Sequence, residues 1–165
     1  GVDFRRRGKR MDECMDIIRG LTSGEYFEFH GEFYDIPKIK MTPAPTEPIP
    51  LLVGGHADAA LRRAVVRGDG WMHGGGPGEE LDALLEKIAD IRKAEGKTND
   101  PFEIHVISLD AYSVDGCKRL ADKGITDVIV GFRMPYIMGD DTEPLQKKID
   151  HLNWYADNVI AKVNG

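Results

Sequence analysis

Three observations predict an α/β fold built on a parallel sheet. Apolar runs at 49–53, 69–73, 104–109 and 127–132 have the length of buried strands. Each leads into a segment whose apolar residues recur at helical spacing. Glycines mark the joints between the two patterns. Alternating strand and helix, rather than runs of one kind, implies parallel strands under a helical cover.

Taken in order, residues 1–24 read as a lead-in and a helix. Arg5, Arg6, Arg7, Lys9 and Arg10 surround Gly8. Such a run is most often a solvated face, here the charged approach to the helix; a phosphate or nucleic-acid patch is the other reading. Met11, Cys14, Met15, Ile18 and Leu21 then fall at helical spacing, and Gly24 suits the helix end. Residues 25–48 read as an insertion. Tyr26, Phe27, Phe29, Phe33 and Tyr34 flank His30-Gly31, which suggests a hairpin over 26–36 with glycine at a positive-φ turn. Pro37, Pro43, Pro45, Pro48 and Pro50 make 37–50 an extended loop, since proline fixes φ and lacks an N–H.

Residues 49–165 hold the four strand–helix units. The first helix, 57–67, turns Leu61, Ala64 and Val65 inward and stops at Gly68. The second, 79–95, carries the clearest stripe: Leu81, Leu84, Leu85, Ile88 and Ile91, closed by Gly96. A short helix spans 115–123 before Gly124. Pro144 suits a first helical turn, and Leu145, Ile149, Leu152, Ala156, Val159 and Val163 define the last helix. Four units are half of a (β/α)₈ TIM barrel, which takes about 250 residues, so 165 cannot supply a whole one. A compact four-stranded α/β sandwich is the competing reading.

The composition excludes several classes. A net charge of −6 argues against a nucleic-acid footprint. No apolar run approaches a membrane span. Cys14 and Cys117 are too few for a disulfide framework or a four-cysteine zinc site, which fits a reduced, cytoplasmic setting. A start at Gly1 without a signal segment suggests a piece of something longer.

Two constellations could carry chemistry. In residues 51–64 a strand enters Gly54-Gly55 and then a helix. Glycines let backbone N–H groups approach an anion, and a helix N-terminus adds donors and a positive dipole end. His56 could donate one more hydrogen bond. The plainer reading makes Gly54-Gly55 a tight turn and Asp58 the helix cap, and the spacing leaves both open. The second is Gly70-Trp71-Met72-His73 before Gly74-Gly75-Gly76, at the C-terminal end of a strand. Trp71 and His73 face one way and Met72 the other. His73 could act as a general acid or base; alternatively Trp71 is core packing and His73 caps a loop. His30, His105 and His151 show no metal-ligand spacing, so no metal site is read. Gly-x-Ser-x-Gly is absent, Cys117 reads as structural, and Asp140-Asp141 as a turn.

Several stretches are similar to a known family. Phe4-Arg5-Arg6-Arg7-Gly8-Lys9-Arg10-Met11-Asp12-Glu13, Phe29-His30-Gly31-Glu32-Phe33-Tyr34 and Pro43-Ala44-Pro45 match in order. Most specific are Ile49-Pro50-Leu51-Leu52-Val53-Gly54-Gly55, Ala59-Ala60-Leu61-Arg62-Arg63-Ala64 and Gly68-Asp69-Gly70-Trp71. The chain resembles the C-terminal half of the luciferase-like flavin monooxygenases, especially their coenzyme F420-dependent oxidoreductase branch. The resemblance implies the C-terminal half of a (β/α)₈ barrel, with the hairpin and proline loop as an insertion before the sixth strand. It implies reduced F420 or FMN as cofactor, with Gly54, Gly55, His56 and Ala57 at its phosphate. His56 departs from the small hydroxyl residue often found there. Trp71 and His73 become candidates for the substrate wall. The isoalloxazine platform and most catalytic side chains belong to the N-terminal half, so no catalytic residue is assigned and the fragment alone is expected to be inactive. Expected partners are the missing half-barrel or a second copy, and a small-molecule substrate. A non-catalytic half-barrel that dimerises or holds a phosphorylated ligand is the alternative, and an unrelated phosphate-binding α/β protein a third reading.

Overall fold

The computed structural model describes residues 3–131 and 138–163. The chain divides into two compact units, Gly1–Trp71 with Leu84–Phe102, and Met72–Ala83 with Glu103–Gly165. The chain crosses between them three times, once inside a strand at Trp71–Met72 and once inside a helix at Ala83–Leu84.

In the first unit a 3₁₀ turn, Phe4–Arg6, opens into helix α1, Arg7–Thr22. Strands β1 (Phe27–His30) and β2 (Asp35–Ile39) form an antiparallel pair. Strand β3 (Leu52–Gly54) precedes helix α2 (Asp58–Arg67), and β3 lies beside strand β4 (Gly70–His73). Helix α3, Gly78–Ala94, contributes its residues from Leu84 onward. The core gathers Met15, Val53, Leu61, Ala64, Val65, Trp71, Leu84 and Ile88. Each large aliphatic side chain here contributes about 1.5–3 kcal/mol by leaving water.

Charge pairs fix α1 against α2. Asp12 and Asp16 are one turn apart, as are Arg63 and Arg67. Arg63 Nε donates to Asp12 at 2.5 Å and Arg67 Nη1 to Asp16 at 2.6 Å. Asp69 ties β3 down: its carboxylate accepts the Leu51 N–H at 2.6 Å and pairs with Arg19.

The hairpin is real, but its glycine serves a different purpose. Gly31 does not adopt positive φ. Glu13 instead reaches from α1 and accepts the backbone N–H groups of Glu32, Phe33 and Tyr34 at 2.7, 3.0 and 3.1 Å. A Cβ at Gly31 would collide with that carboxylate. The extended loop expected from residue 37 starts later, since β2 runs through Pro37 to Ile39. The two-stranded sheet is all edge, and the register shifts between Phe27 and Phe29, so a missing N–H is tolerated there.

In the second unit, the end of β4 lies beside strand β5 (Glu103–Val106), and β5 pairs in parallel with strand β6 (Asp127–Val128). The register matches His105 with Asp127 and Val106 with Val128. The strand expected over 127–132 is thus shorter, and Phe132 lies outside the described residues. Both strands end at the Val106–Val128 pair, and beyond it Ser108 caps a 3₁₀ turn over Leu109–Tyr112. Helix α4, Val114–Asp122, follows. Helix α5, Leu145–Tyr155, continues through a π turn, Ala156–Ile160, into α6, Ala161–Val163. The buried Tyr155 hydroxyl donates to Ala111 O at 2.8 Å, and burial raises its pKa above 10.0. Among the described residues no helix is long and apolar enough to cross a membrane.

Candidate functional site

The strand–glycine–helix segment of the first unit forms the floor of a cavity of about 760 Å³. Val53, Gly54, Gly55, His56 and Ala57 line it along the turn. Gly55 has φ +117°, which disfavours any side chain. A Cβ there would also sit 3.1 Å from Ala60 Cβ, so the turn is held close to the first turn of α2.

Asp58 is not the helix cap. Ala57 occupies that position with φ −70° and ψ 144°, and it offers no side-chain hydrogen bond. Asp58 is the first helical residue, and its carboxylate accepts from Lys87 Nζ at 2.9 Å. Ala57 O accepts from Ala60 N at 2.8 Å and Leu61 N at 3.1 Å. The N–H groups of Asp58 and Ala59 have no partner inside the helix, and no side-chain cap covers them. Free N–H donors and the positive end of the helix dipole are the features that favour an anion at a helix start. At the other end of α2, Lys97 Nζ donates to Val65 O and Val66 O at 3.0 and 3.1 Å.

The basic run supplies the wall. Arg5, Arg7 and Gly8 line the same cavity, and Arg63 closes it from α2. Arg7 lies over the Phe4 ring at 3.6 Å. The Gly8 Cβ position is 2.7 Å from Arg63 Nη2, so glycine lets α1 approach that arginine. The lead-in is solvated, with Arg5, Arg6, Arg7 and Lys9 exposed, and Arg5, Arg7 and Gly8 of it also border this cavity. Sequence distance hid this: nothing local ties Arg5 to Gly55, fifty residues on.

Trp71 supports the turn from beneath. It is fully buried, and its Nε1 donates to Gly55 O at 2.9 Å. Its ring centroid lies 6.2 Å from that of His56. His73, in the second unit, is 1% exposed, and Gly76 passes over it with its Cβ position 3.7 Å from His73 Nε2. Met72 is partly exposed. The second unit also brings Glu103, His105 and Asp127 together, although spacing alone gives no metal pattern around His105.

The family model for luciferase-like monooxygenases matches residues 1–157. An uncharacterized protein of Mycobacterium tuberculosis is 71% identical over 163 residues, covering 99% of this chain and 56% of that protein. An F420-dependent glucose-6-phosphate dehydrogenase of Nakamurella multipartita is 30% identical over 101 residues, 60% of this chain and 30% of that protein. The chain thus spans about half the length of its nearly full-coverage relative, and less of the second. Among solved structures, the coenzyme F420-dependent tetrahydromethanopterin reductase of Methanopyrus kandleri superposes with a TM-score of 0.71 at 14% identity. That match covers 94% of this chain and 63% of the reductase, and it shows the fold.

Proposed function

The chain belongs to the luciferase-like monooxygenase family, and on that premise we propose that it is the cofactor-phosphate portion of an F420-dependent oxidoreductase. One observation carries the reading: the uncapped start of α2 lies behind Gly55 in a cavity rimmed by Arg5, Arg7 and Arg63. The turn fits a phosphate because Gly55 and Ala57 leave the backbone donors uncovered. Gly54 and Gly55 admit the anion, His56 and Ala57 border it, and Arg5 and Arg7 neutralise it, while Arg63 keeps its pair with Asp12. The F420 named for the Nakamurella enzyme and the Methanopyrus reductase supports that cofactor over FMN, whose phosphate the same turn would suit. Such a cofactor, when bound, supplies the hydride or electron transfer. This chain's residues bind and orient. Trp71 holds the turn in shape, and any part of His73 in a substrate wall would run through the loop that covers it.

Titration of the full chain with F420 and with FMN, followed by cofactor fluorescence, tests this. F420 should bind measurably and Gly55→Val should weaken it at least tenfold. Equal affinity in a folded Gly55→Val chain would remove the assignment. Binding of inorganic phosphate with no F420 affinity would favour the non-catalytic phosphate-binding alternative.

The same premise carries a proposal about assembly: the chain pairs with the rest of its barrel or with a second copy. Leu145, Leu152 and Trp154 of α5 are each more than half exposed, which is apolar surface that association would cover. Sedimentation of the purified chain should show self-association; a compact monomer with no dye-accessible apolar surface would count against it.

A further inference from the structure

We propose that Glu103, His105 and Asp127 form a binding site for a divalent transition metal, Zn²⁺ by its ligand chemistry. Glu103 and His105 are two apart on β5, so both project from one face. The parallel register sets Asp127, the first residue of β6, directly beside His105. His105 Nε2 lies 2.9 Å from Glu103 Oε2 and 3.2 Å from Asp127 Oδ2. One ligand atom from each residue falls within 4.8 Å of the others.

Hydrogen bonding alone serves this arrangement poorly. A neutral imidazole has a single N–H to offer at Nε2, and here two carboxylates converge on it. Sharing one proton leaves two anions side by side. A dication at the same point accepts all three ligands and balances both negative charges. Zinc binds imidazole nitrogen and carboxylate oxygen at about 2.0–2.2 Å, so tetrahedral ligand atoms sit roughly 3.3 Å apart. The separations of 2.9 and 3.2 Å need little adjustment to reach that. One nitrogen and two oxygens suit a borderline metal; Ca²⁺ and Mg²⁺ prefer all-oxygen shells. Side-chain exposures of 41% for Glu103, 22% for His105 and 54% for Asp127 leave an entry path and room for water as a fourth ligand. Bound there, the ion clips β5 to β6 at the start of their pairing. The site is separate from the phosphate turn, which belongs to the other unit.

The test is equilibrium dialysis of the full chain against Zn²⁺, with Co²⁺ as a spectroscopic substitute. One ion per chain is expected, with visible Co²⁺ absorption typical of a low-coordinate site, and a melting temperature raised by Zn²⁺. His105→Ala should abolish both signals. Asp127→Asn, at a more exposed position, should weaken affinity at least tenfold and keeps the test decisive if the histidine variant misfolds. No stoichiometric binding, or equal binding and equal thermal shift in Asp127→Asn, would overturn the proposal.

Discussion

Helices α2 and α4 both follow a strand of the parallel sheet, yet their first turns are built oppositely. At α4, Ser113 is the cap: its hydroxyl accepts the Gly116 N–H at 3.1 Å, and the preceding 3₁₀ turn packs directly against the helix. At α2 the cap is alanine, the turn is two glycines, and arginines stand around it. The first arrangement spends its donors on the protein. The second leaves them open, as the proposed phosphate site requires. The difference teaches that a strand–helix joint becomes a binding site by what is left out of it.

The largest effect is expected where the closed joint is tightest. Gly116 is buried, and a Cβ there would run into the carbonyl of Asp110. Gly116→Ala should therefore destabilise the protein by about 3 kcal/mol, read by chemical denaturation, through overpacking against backbone that cannot yield. At the open joint, Gly55→Val should cost about 1–3 kcal/mol of strain and weaken F420 at least tenfold. If stability fell and affinity in the folded fraction held, the two joints would be equally structural and the contrast would collapse.

Exchanging the caps sharpens the comparison. Ser113→Ala should cost about 1 kcal/mol with no effect on anion binding. Ala57→Ser should do the converse: a serine cap would stabilise α2 and compete with the anion for the same N–H groups, so melting temperature rises while phosphate affinity drops. Asp58→Asn removes an exposed pair with Lys87 and so should change stability by less than about 0.5 kcal/mol, with affinity held or improved.

The smallest effect is a titration. Asp110, in the turn before α4, has its pKa held below 3.8, first by the hydrogen bond from Arg119 and then, against desolvation, by nearby positive charge. A depressed carboxylate pKa contributes stability that is complete above 3.8 and is lost as pH falls through the lower folded value. Carboxyl chemical shifts should place the Asp110 midpoint below 3.8, and Arg119→Met should raise it. An unchanged midpoint would mean that Arg119 does not pin this turn.

Periodicity made the helices legible. Leu61, Ala64 and Val65, and Leu84 and Ile88, are buried where their spacing puts them. The glycine turn was legible because strand, glycines and helix are contiguous. What sequence could not give were contacts across distance. Arg5 and Arg7 join the turn only because α1 lies along α2 through the Asp12–Arg63 and Asp16–Arg67 pairs. His105 meets Asp127 only through strand register. Asp58 read as a cap because aspartate favours that position, but Lys87 on α3 takes its carboxylate and the helix starts one residue earlier. Pro37 read as a break because a strand needs N–H donors, and an isolated hairpin needs fewer than a full sheet.

The hydrogen bond from Trp71 to Gly55 O also gives the protein an optical handle. Of its two tryptophans, Trp71 is fully enclosed beneath the turn, and Trp154 is 53% exposed. Indole emission is blue in a dry, rigid setting and red in water, so the two should separate spectrally, and a water-borne quencher should silence Trp154 alone. What remains would come from a fluorophore bonded to the backbone of the turn itself. A ligand that shifts Gly55 must then disturb the blue component, and the chain would report occupancy of its own site without a label.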